Sequence, residues 1–279
     1  MENDKTILLI QPHVGKLDYA GLRLPEALLA VARYPLKHGF SVKIIDQRIT
    51  QNWKKCVGDF LEDNNVLCVG LTCMTGPQIR YALEISRHIK SISSVPIVWG
   101  GIHPSLFPEQ CLADSSIDYV VIGEGEETFM ELILKMQDNE SMSDVQGIAY
   151  NKNGKTIISE PRGFIKDMDT LPHLPYDLLD ITRYRASGLF DGPSFTFFTS
   201  RGCPFPCTFC YNAVYNKGKW RGFSAVNTVD RLEAIIDKYG IRYYFFQDYN
   251  LFTNVPRFRE MMREIIKRQL NIKWACLGA

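Results

Sequence analysis

Three cysteines stand close together at 203, 207 and 210, in the stretch Ser200-Arg201-Gly202-Cys203-Pro204-Phe205-Pro206-Cys207-Thr208-Phe209-Cys210. The spacing is C-x3-C-x2-C. Three thiolates this close, on a segment made compact by Gly202, Pro204 and Pro206, can converge on one soft metal centre. Three is one ligand short of a closed structural zinc site or of a fully ligated cubane. A [4Fe–4S] cluster held by three cysteines keeps one iron open to an outside ligand. The competing readings are a zinc site completed by a distant fourth donor, and three unrelated thiols. No Cys/His pair sits at the usual second-half zinc spacing, and Cys276 by itself is a poor fourth donor.

The elements around these cysteines must hold them. Residues 194–199 (SFTFFT) form an aromatic, β-prone run that leads straight into the motif. After it come an amphipathic helix over 226–239 ended by Gly240 and a strand over 242–246. A helix over 256–269, begun by Asn254 and Pro256, and a strand over 272–276 complete the pattern. The order is βαβαβ. Trp220, Arg221 and the aromatic run 243–246 are expected to pack it.

The first half alternates in the same way. Short apolar strands at 5–10, 41–46, 66–72, 96–99 and 118–122 are separated by helical patterns, the clearest at 25–37, 53–63, 77–90 and 127–136. Near-continuous apolar strands in βα repeats predict a doubly wound parallel sheet, which binds ligands beyond the carboxyl ends of its strands. Those ends carry the loops 11–15, 72–76, 100–104 and 123–126, which hold glycines suited to tight turns or close approach by a ligand. No G-x-G-x-x-G follows the first strand, which disfavours a nicotinamide or flavin dinucleotide. Residues 147–159 read as a hairpin turning at Asn153-Gly154, and the proline-rich stretch 161–180 reads as a linker.

The chain has 279 residues, enough for about two domains. Lys+Arg 32 against Asp+Glu 31 gives a formal charge of +1, so bulk electrostatic attraction to nucleic acid or anionic membrane is excluded as a main function. The apolar runs are too short to span a bilayer. The start lacks the basic segment and cleavage site of a signal peptide, so a cytoplasmic location with reduced thiols is expected. Cys56, Cys68, Cys73 and Cys111 read as small buried apolar residues.

C-x3-C-x2-C with an aromatic residue, Phe209, before the last cysteine resembles the radical S-adenosylmethionine enzymes. The resemblance implies that Cys203, Cys207 and Cys210 hold a [4Fe–4S] cluster and that Phe209 lies near the adenine of S-adenosylmethionine. Reductive cleavage then gives methionine and a 5′-deoxyadenosyl radical. Joined to the GGIHP and GEGE loops and the proline-rich linker, the motif resembles the cobalamin-binding-domain branch of that family. The branch includes methyltransferases acting on unactivated carbon or phosphorus and the anaerobic magnesium-protoporphyrin monomethyl ester cyclase. It implies a cobalamin contacted by Thr72, Met74, Gly100, Gly101, His103, Gly123, Glu124 and Gly125, a small-molecule substrate, and a flavodoxin or ferredoxin as reductant. The expected fold is α/β: a Rossmann-like cobalamin-binding domain at 1–145, a hairpin and linker at 146–190, and the first part of a partial (β/α) barrel at 191–279. Methyl transfer to an unactivated carbon is the function implied first. Ring cyclisation and a cofactor-binding fragment without radical chemistry are the alternatives.

The sequence departs from the family pattern at three places. Where cobalamin carriers of the methionine synthase kind have D-x-H-x-x-G, this chain has Gln11-Pro12-His13-Val14-Gly15, so cobalt without a histidine ligand is expected. Where many radical enzymes carry Gly-Gly-Glu, it has Gln247-Asp248-Tyr249-Asn250. Asp248 is therefore the candidate acceptor for the amino group of S-adenosylmethionine, or else a loop acid facing water. The family barrel has about six strands, whereas this chain ends after the third, so an incomplete barrel is expected.

Overall fold

The first strand, β1 (Thr6–Gln11), is buried along its whole length. A strand achieves that at the centre of a sheet covered on both faces. The computed structural model describes residues 4–184, 190 and 192–276. They form two compact units.

The first unit comprises the described residues up to Asp18, Pro25–Phe164 and Leu174–Leu179. It runs β1, α1 (Glu26–Lys37), β2 (Ser41–Asp46), α2 (Trp53–Asp63), β3 (Val66–Thr72), α3 (Gln78–Ile92) and β4 (Ile97–Gly100). There follow two single-turn helices, α4 (Ile102–Leu106) and α5 (Pro108–Leu112), then β5 (Tyr119–Val121), α6 (Gly125–Gln137), β6 (Ile148–Lys152) and β7 (Lys155–Ile158). The sheet order is β2-β1-β3-β4-β5-β6-β7, with β1 to β5 parallel. The order reverses at β1, so the switch point, where open α/β sheets place their ligands, lies between the ends of β1 and β3.

One face of the sheet (Leu8, Ile10, Val69, Leu71, Ile97, Trp99, Val120) packs on Trp53 and Val57 of α2 and on Ala82, Ile85 and Ile89 of α3. Truncating one such fully buried aliphatic to alanine typically costs about 2–5 kcal/mol, a large share of a domain's stability. The Trp99 Nε1–H donates to Ser86 Oγ at 2.9 Å, satisfying both polar atoms inside this layer.

The hairpin is placed differently from the expectation. It turns at Asn153 and Gly154, both at positive φ (51° and 75°), as the asparagine-glycine pair predicts. It does not stand apart with the linker at 146–190, however. β6 pairs antiparallel with β5 and β7 with β6, extending the sheet to seven strands. The exposed hydrogen-bonding edge of β5 is thereby covered, which a short central-type strand such as Tyr119–Val121 requires.

The second unit comprises 19–24, Ile165–His173 and the described residues from Asp180 onward. Residues 19–24, numbered inside the expected first domain, belong here: the Arg23 guanidinium lies 5.5 Å from the centre of the Phe245 ring. The elements are β8 (Ser194–Phe197), β9 (Ser200–Arg201), α7 (Asn212–Tyr215), β10 (Arg221–Gly222), α8 (Ala225–Tyr239), β11 (Tyr243–Phe246), α9 (Val255–Lys267) and β12 (Lys273–Cys276). β8, β11 and β12 make a parallel sheet in the order β12-β11-β8. Ser224 caps α8 by accepting from Asn227 N–H at 3.1 Å, and Gly240 ends it at φ 70°. Asn254 caps α9 in the same way. Arg268 ties the two helices together through Asp230, Glu233 and Glu264. Among the described residues no helix is long and apolar enough to cross a membrane.

Cys68, Cys73 and Cys111 are buried in the first unit as expected, whereas Cys56 is only half-buried on α2. Burial pushes the thiols of Cys68 and Cys73 up to about 12 and that of Cys111 up to about 11. At pH 8 a thiol of pKa 12 is thiolate in roughly one molecule in ten thousand. Iodoacetamide at pH 8 should therefore label the exposed Cys207 of the metal-free folded chain and leave Cys68, Cys73 and Cys111 unmodified until denaturant is added, as read by peptide mass spectrometry.

Candidate functional site

The cysteine motif lies on a loop closed at its neck. Beyond β8, the Ser200–Arg201 strand pairs antiparallel with Arg221–Gly222, and Phe223 N–H donates to Thr199 O at 3.0 Å. Gly202 enters the loop at φ 79°, and a Cβ there would stand 2.0 Å from the Lys219 carbonyl oxygen. Glycine is required at that point both by backbone conformation and by space. Cys203 is buried, Cys207 exposed and Cys210 half-buried, and all three thiols are free. The Cys210 N–H donates to Cys207 O at 3.0 Å, and Asn212 Nδ2 donates to Cys203 O at 2.9 Å.

Among the described residues, no three His, Cys, Asp or Glu side chains converge closely enough to hold a single metal ion. Phe209, beside the last cysteine, is 91% exposed, so its ring is open to a flat ligand.

Asp248 is 1% exposed, so of the two sequence readings the loop acid facing water does not hold. Its Oδ1 accepts from Thr199 Oγ1 at 2.8 Å and from Ser200 Oγ, and its Oδ2 accepts from Thr199 N–H at 3.2 Å. Burial raises its pKa, opposed by the Ser200 and Thr199 hydrogen bonds and the charge of Arg257. Arg257 of α9 reaches the same segment, donating from Nη2 to Thr199 O at 2.9 Å and to Thr228 Oγ1 at 3.0 Å. The carboxylate is thus bonded to the segment that enters the cysteine loop.

The next residue, Tyr249, meets the loop at its middle. Its hydroxyl is 2.6 Å from that of Tyr211, adjacent to Cys210, and it also hydrogen-bonds Asn216. Asn216 Nδ2 donates to Asn212 Oδ1 at 2.8 Å. Sequence reasoning missed Thr199, Ser200, Asn212, Asn216, Tyr249 and Arg257. The available signal was polar residues at strand ends and an asparagine two places after the last cysteine. Trp220, expected to pack the barrel, lies beneath the Arg257 guanidinium at 5.7 Å.

In the first unit the ends of β1 and β3 are joined by Gln78. Its Nε2 donates to Pro12 O at 3.3 Å, and its Oε1 accepts from Met74 N–H at 2.7 Å. The His13 Nδ1 pairs with Asp18 Oδ2 at 3.0 Å. Met74 is exposed, whereas Thr72 is half-buried. Gly101, at φ 99°, fits only because a Cβ would stand 2.9 Å from Cys73 O and 3.0 Å from Thr72 Oγ1. Gly100 pairs with Thr72 across β3 and β4. Gly123, at φ 81°, has open space where a Cβ would go, and its N–H donates to Ser105 Oγ at 2.9 Å. Gly125 allows α6 to approach Val31 of α1, where a Cβ would lie 3.0 Å away. Glu124 precedes α6 and Glu126 is buried in its first turn. His103 is buried in α4, its ring tilted against that of Phe107 and its Nδ1 3.3 Å from Thr75 Oγ1, and burial lowers its pKa. Met74 is exposed, and Gly76, like Gly123, has open space where a Cβ would go.

Residues 18–133 match the family model described as "B12 binding domain". An uncharacterised methyltransferase of Pyrococcus horikoshii is 30% identical over 97% of this chain and 59% of its own length. The anaerobic magnesium-protoporphyrin IX monomethyl ester cyclase of Rubrivivax gelatinosus is 27% identical over 96% of this chain and 49% of its own length. The chain thus spans about half the length of these relatives. Among solved structures, the radical S-adenosylmethionine methyltransferase TsrM of Kitasatospora setae, with cobalamin and a [4Fe–4S] cluster bound, superposes with a TM-score of 0.76 at 20% identity, covering 96% of this chain and 52% of that one. Residues 18–133 thus match a B12 binding domain, and the chain along nearly its whole length is similar to the methyltransferase of Pyrococcus horikoshii and shares the fold of the cobalamin-bound radical S-adenosylmethionine methyltransferase TsrM.

Proposed function

We propose that this chain carries the cobalamin and cluster sites of a radical S-adenosylmethionine enzyme that transfers a methyl group to an unactivated carbon of a small molecule. The observation that carries the reading is the neck-closed loop bearing Cys203, Cys207 and Cys210 at the carboxyl end of a parallel sheet, in a chain whose other unit is a B12 binding domain. When bound, the cluster supplies one electron for cleavage of S-adenosylmethionine and the corrin supplies a methyl carrier; the protein contributes placement.

Cys203, Cys207 and Cys210 would hold the cluster as thiolates, leaving one iron for the amino and carboxylate groups of S-adenosylmethionine. Phe209, exposed beside the third thiol, offers a face for the adenine. In the first unit, the cobalamin would enter beside the exposed Met74 and the open backbone of Gly76 and Gly123, and Thr72, Gly100, Gly101, His103, Glu124 and Gly125 would line its site. The electron would come from a flavodoxin or ferredoxin. A second reading, oxidative ring cyclisation, is favoured by the similarity to the magnesium-protoporphyrin ester cyclase of Rubrivivax gelatinosus.

Low-temperature EPR of the anaerobically reconstituted, dithionite-reduced chain tests the reading. A [4Fe–4S]⁺ signal that shifts when S-adenosylmethionine is added is expected, together with bound cobalamin after incubation and gel filtration. Stoichiometric zinc without an iron–sulfur signal would overturn it. Cys207→Ala should abolish the signal, and full iron and sulfide in that variant would be incompatible with the assignment. Gly202→Ala should cost more than the roughly 1–2 kcal/mol of a left-handed non-glycine residue, because its Cβ also strikes the Lys219 carbonyl. Its iron content after reconstitution should fall well below that of the parent chain, while the core of the first unit stays folded by circular dichroism.

A further inference from the structure

The loop from Gly202 to Trp220 must hold three thiols in fixed relation, yet its only helix is the single turn Asn212–Tyr215. Ordering a backbone costs about 1–2 kcal/mol per residue, and a metal constellation tolerates errors of only about 0.5 Å. The neck formed by Ser200–Arg201 and Arg221–Gly222 secures the ends of the loop. Something else must secure the thiols between them.

Two consecutive residues beyond β11 reach this loop at two points, one just ahead of its start and one at its middle. Asp248 binds the backbone N–H and the hydroxyl of Thr199 and the hydroxyl of Ser200, just ahead of Gly202 and Cys203. Tyr249 binds the Tyr211 hydroxyl, one residue beyond Cys210. From Tyr249 the hydrogen bonds continue through Asn216 and Asn212 to the carbonyl oxygen of Cys203 itself. Asn212, Asn216, Thr199, Ser200 and Asp248 are all buried, so water competes little for the bonds among them, whereas the Tyr211–Tyr249 pair lies at the surface.

We propose that the Asp248–Tyr249 step is a positioning device for the cluster loop: Asp248 sets the segment that delivers Cys203, and Tyr249, through Tyr211 and the Asn216–Asn212 relay, sets Cys210 relative to Cys203. Cys207, exposed and held through the Cys210 N–H, lies outside the clamp. Neither Asp248 nor Tyr249 touches a reacting atom in this scheme. The scheme rests on the reading of this loop as a cluster site, and it gives Asp248 a different task from holding an amino group.

The test compares the reconstituted full chain with Asp248→Asn, Tyr249→Phe and Ser200→Ala. Asparagine at 248 keeps the volume but turns one acceptor into a donor facing the Thr199 and Ser200 donors, and phenylalanine at 249 removes only the hydroxyl. Outer-sphere partners of metal ligands are worth about 10–100-fold in metal retention, so Asp248→Asn and Tyr249→Phe should release iron to ferrozine about tenfold faster than the parent. Ser200→Ala, which removes one of several donors, should accelerate release by less. The EPR signal of both main variants should broaden, while the metal-free Tyr249→Phe chain keeps the parent's thermal midpoint. Parent-like iron release and line shape in Tyr249→Phe and Asp248→Asn would overturn the clamp while leaving the cluster reading intact. Faster release matched by a lower midpoint of the metal-free chains would also overturn it, because the role would then be general stability. A parent chain with no iron–sulfur signal would bring down the functional reading and the clamp together.

Discussion

A carboxylate buried to the extent of Asp248 is tolerated only when its oxygens are fully engaged, since an unpaired buried charge costs several kcal/mol. That requirement fixes much of the second unit. Thr199 and Ser200 must present their hydroxyls inward, which sets the direction in which the chain leaves β8 and enters the cysteine loop. Arg257, brought by α9, balances the charge through the hydroxyl and the carbonyl of the same threonine. The loop that carries the chemistry therefore hangs from a small, dry, fully hydrogen-bonded knot rather than from apolar packing alone.

The first unit solves a different problem. Its loops are held by one amide side chain, Gln78, which spans the ends of β1 and β3 at the point where the strand order reverses. Glycines there divide into two kinds. Gly101 and Gly125 are demanded by neighbouring atoms of the protein itself, while Gly76 and Gly123 have positive φ and open space beside them. Only the second kind leaves room for a ligand to approach the backbone. The pair formed by His13 and Asp18 lies on the same loop cluster and keeps the imidazole's orientation fixed.

The two units present different features. One has strand ends at a switch point, where open α/β sheets place ligands, and the other has three free thiols on a stiffened loop. What the fold contributes is placement, and placement here depends on hydrogen bonds satisfied away from water.

How far the sequence reaches follows from the range of each interaction. The strand and helix pattern, the Asn153-Gly154 turn, the helix stop at Gly240 and the cap at Asn254, and the spacing of Cys203, Cys207 and Cys210 are local, set by periods of two and of 3.6 residues and by neighbours along the chain. Those were legible without a structure, as was the resemblance to a known family. The hairpin's attachment to β5, the inward turn of Asp248, and the internal contacts of Gly101 and His103 were not. Each depends on partners far away in sequence: Asp248 meets Thr199 across 49 positions and Thr75 meets His103 across 28. The sequence by itself determined which residues could bind a cluster. Only the tertiary structure decided which polar side chains hold them in place, because a buried hydrogen-bonding group takes whichever partner the fold brings within reach.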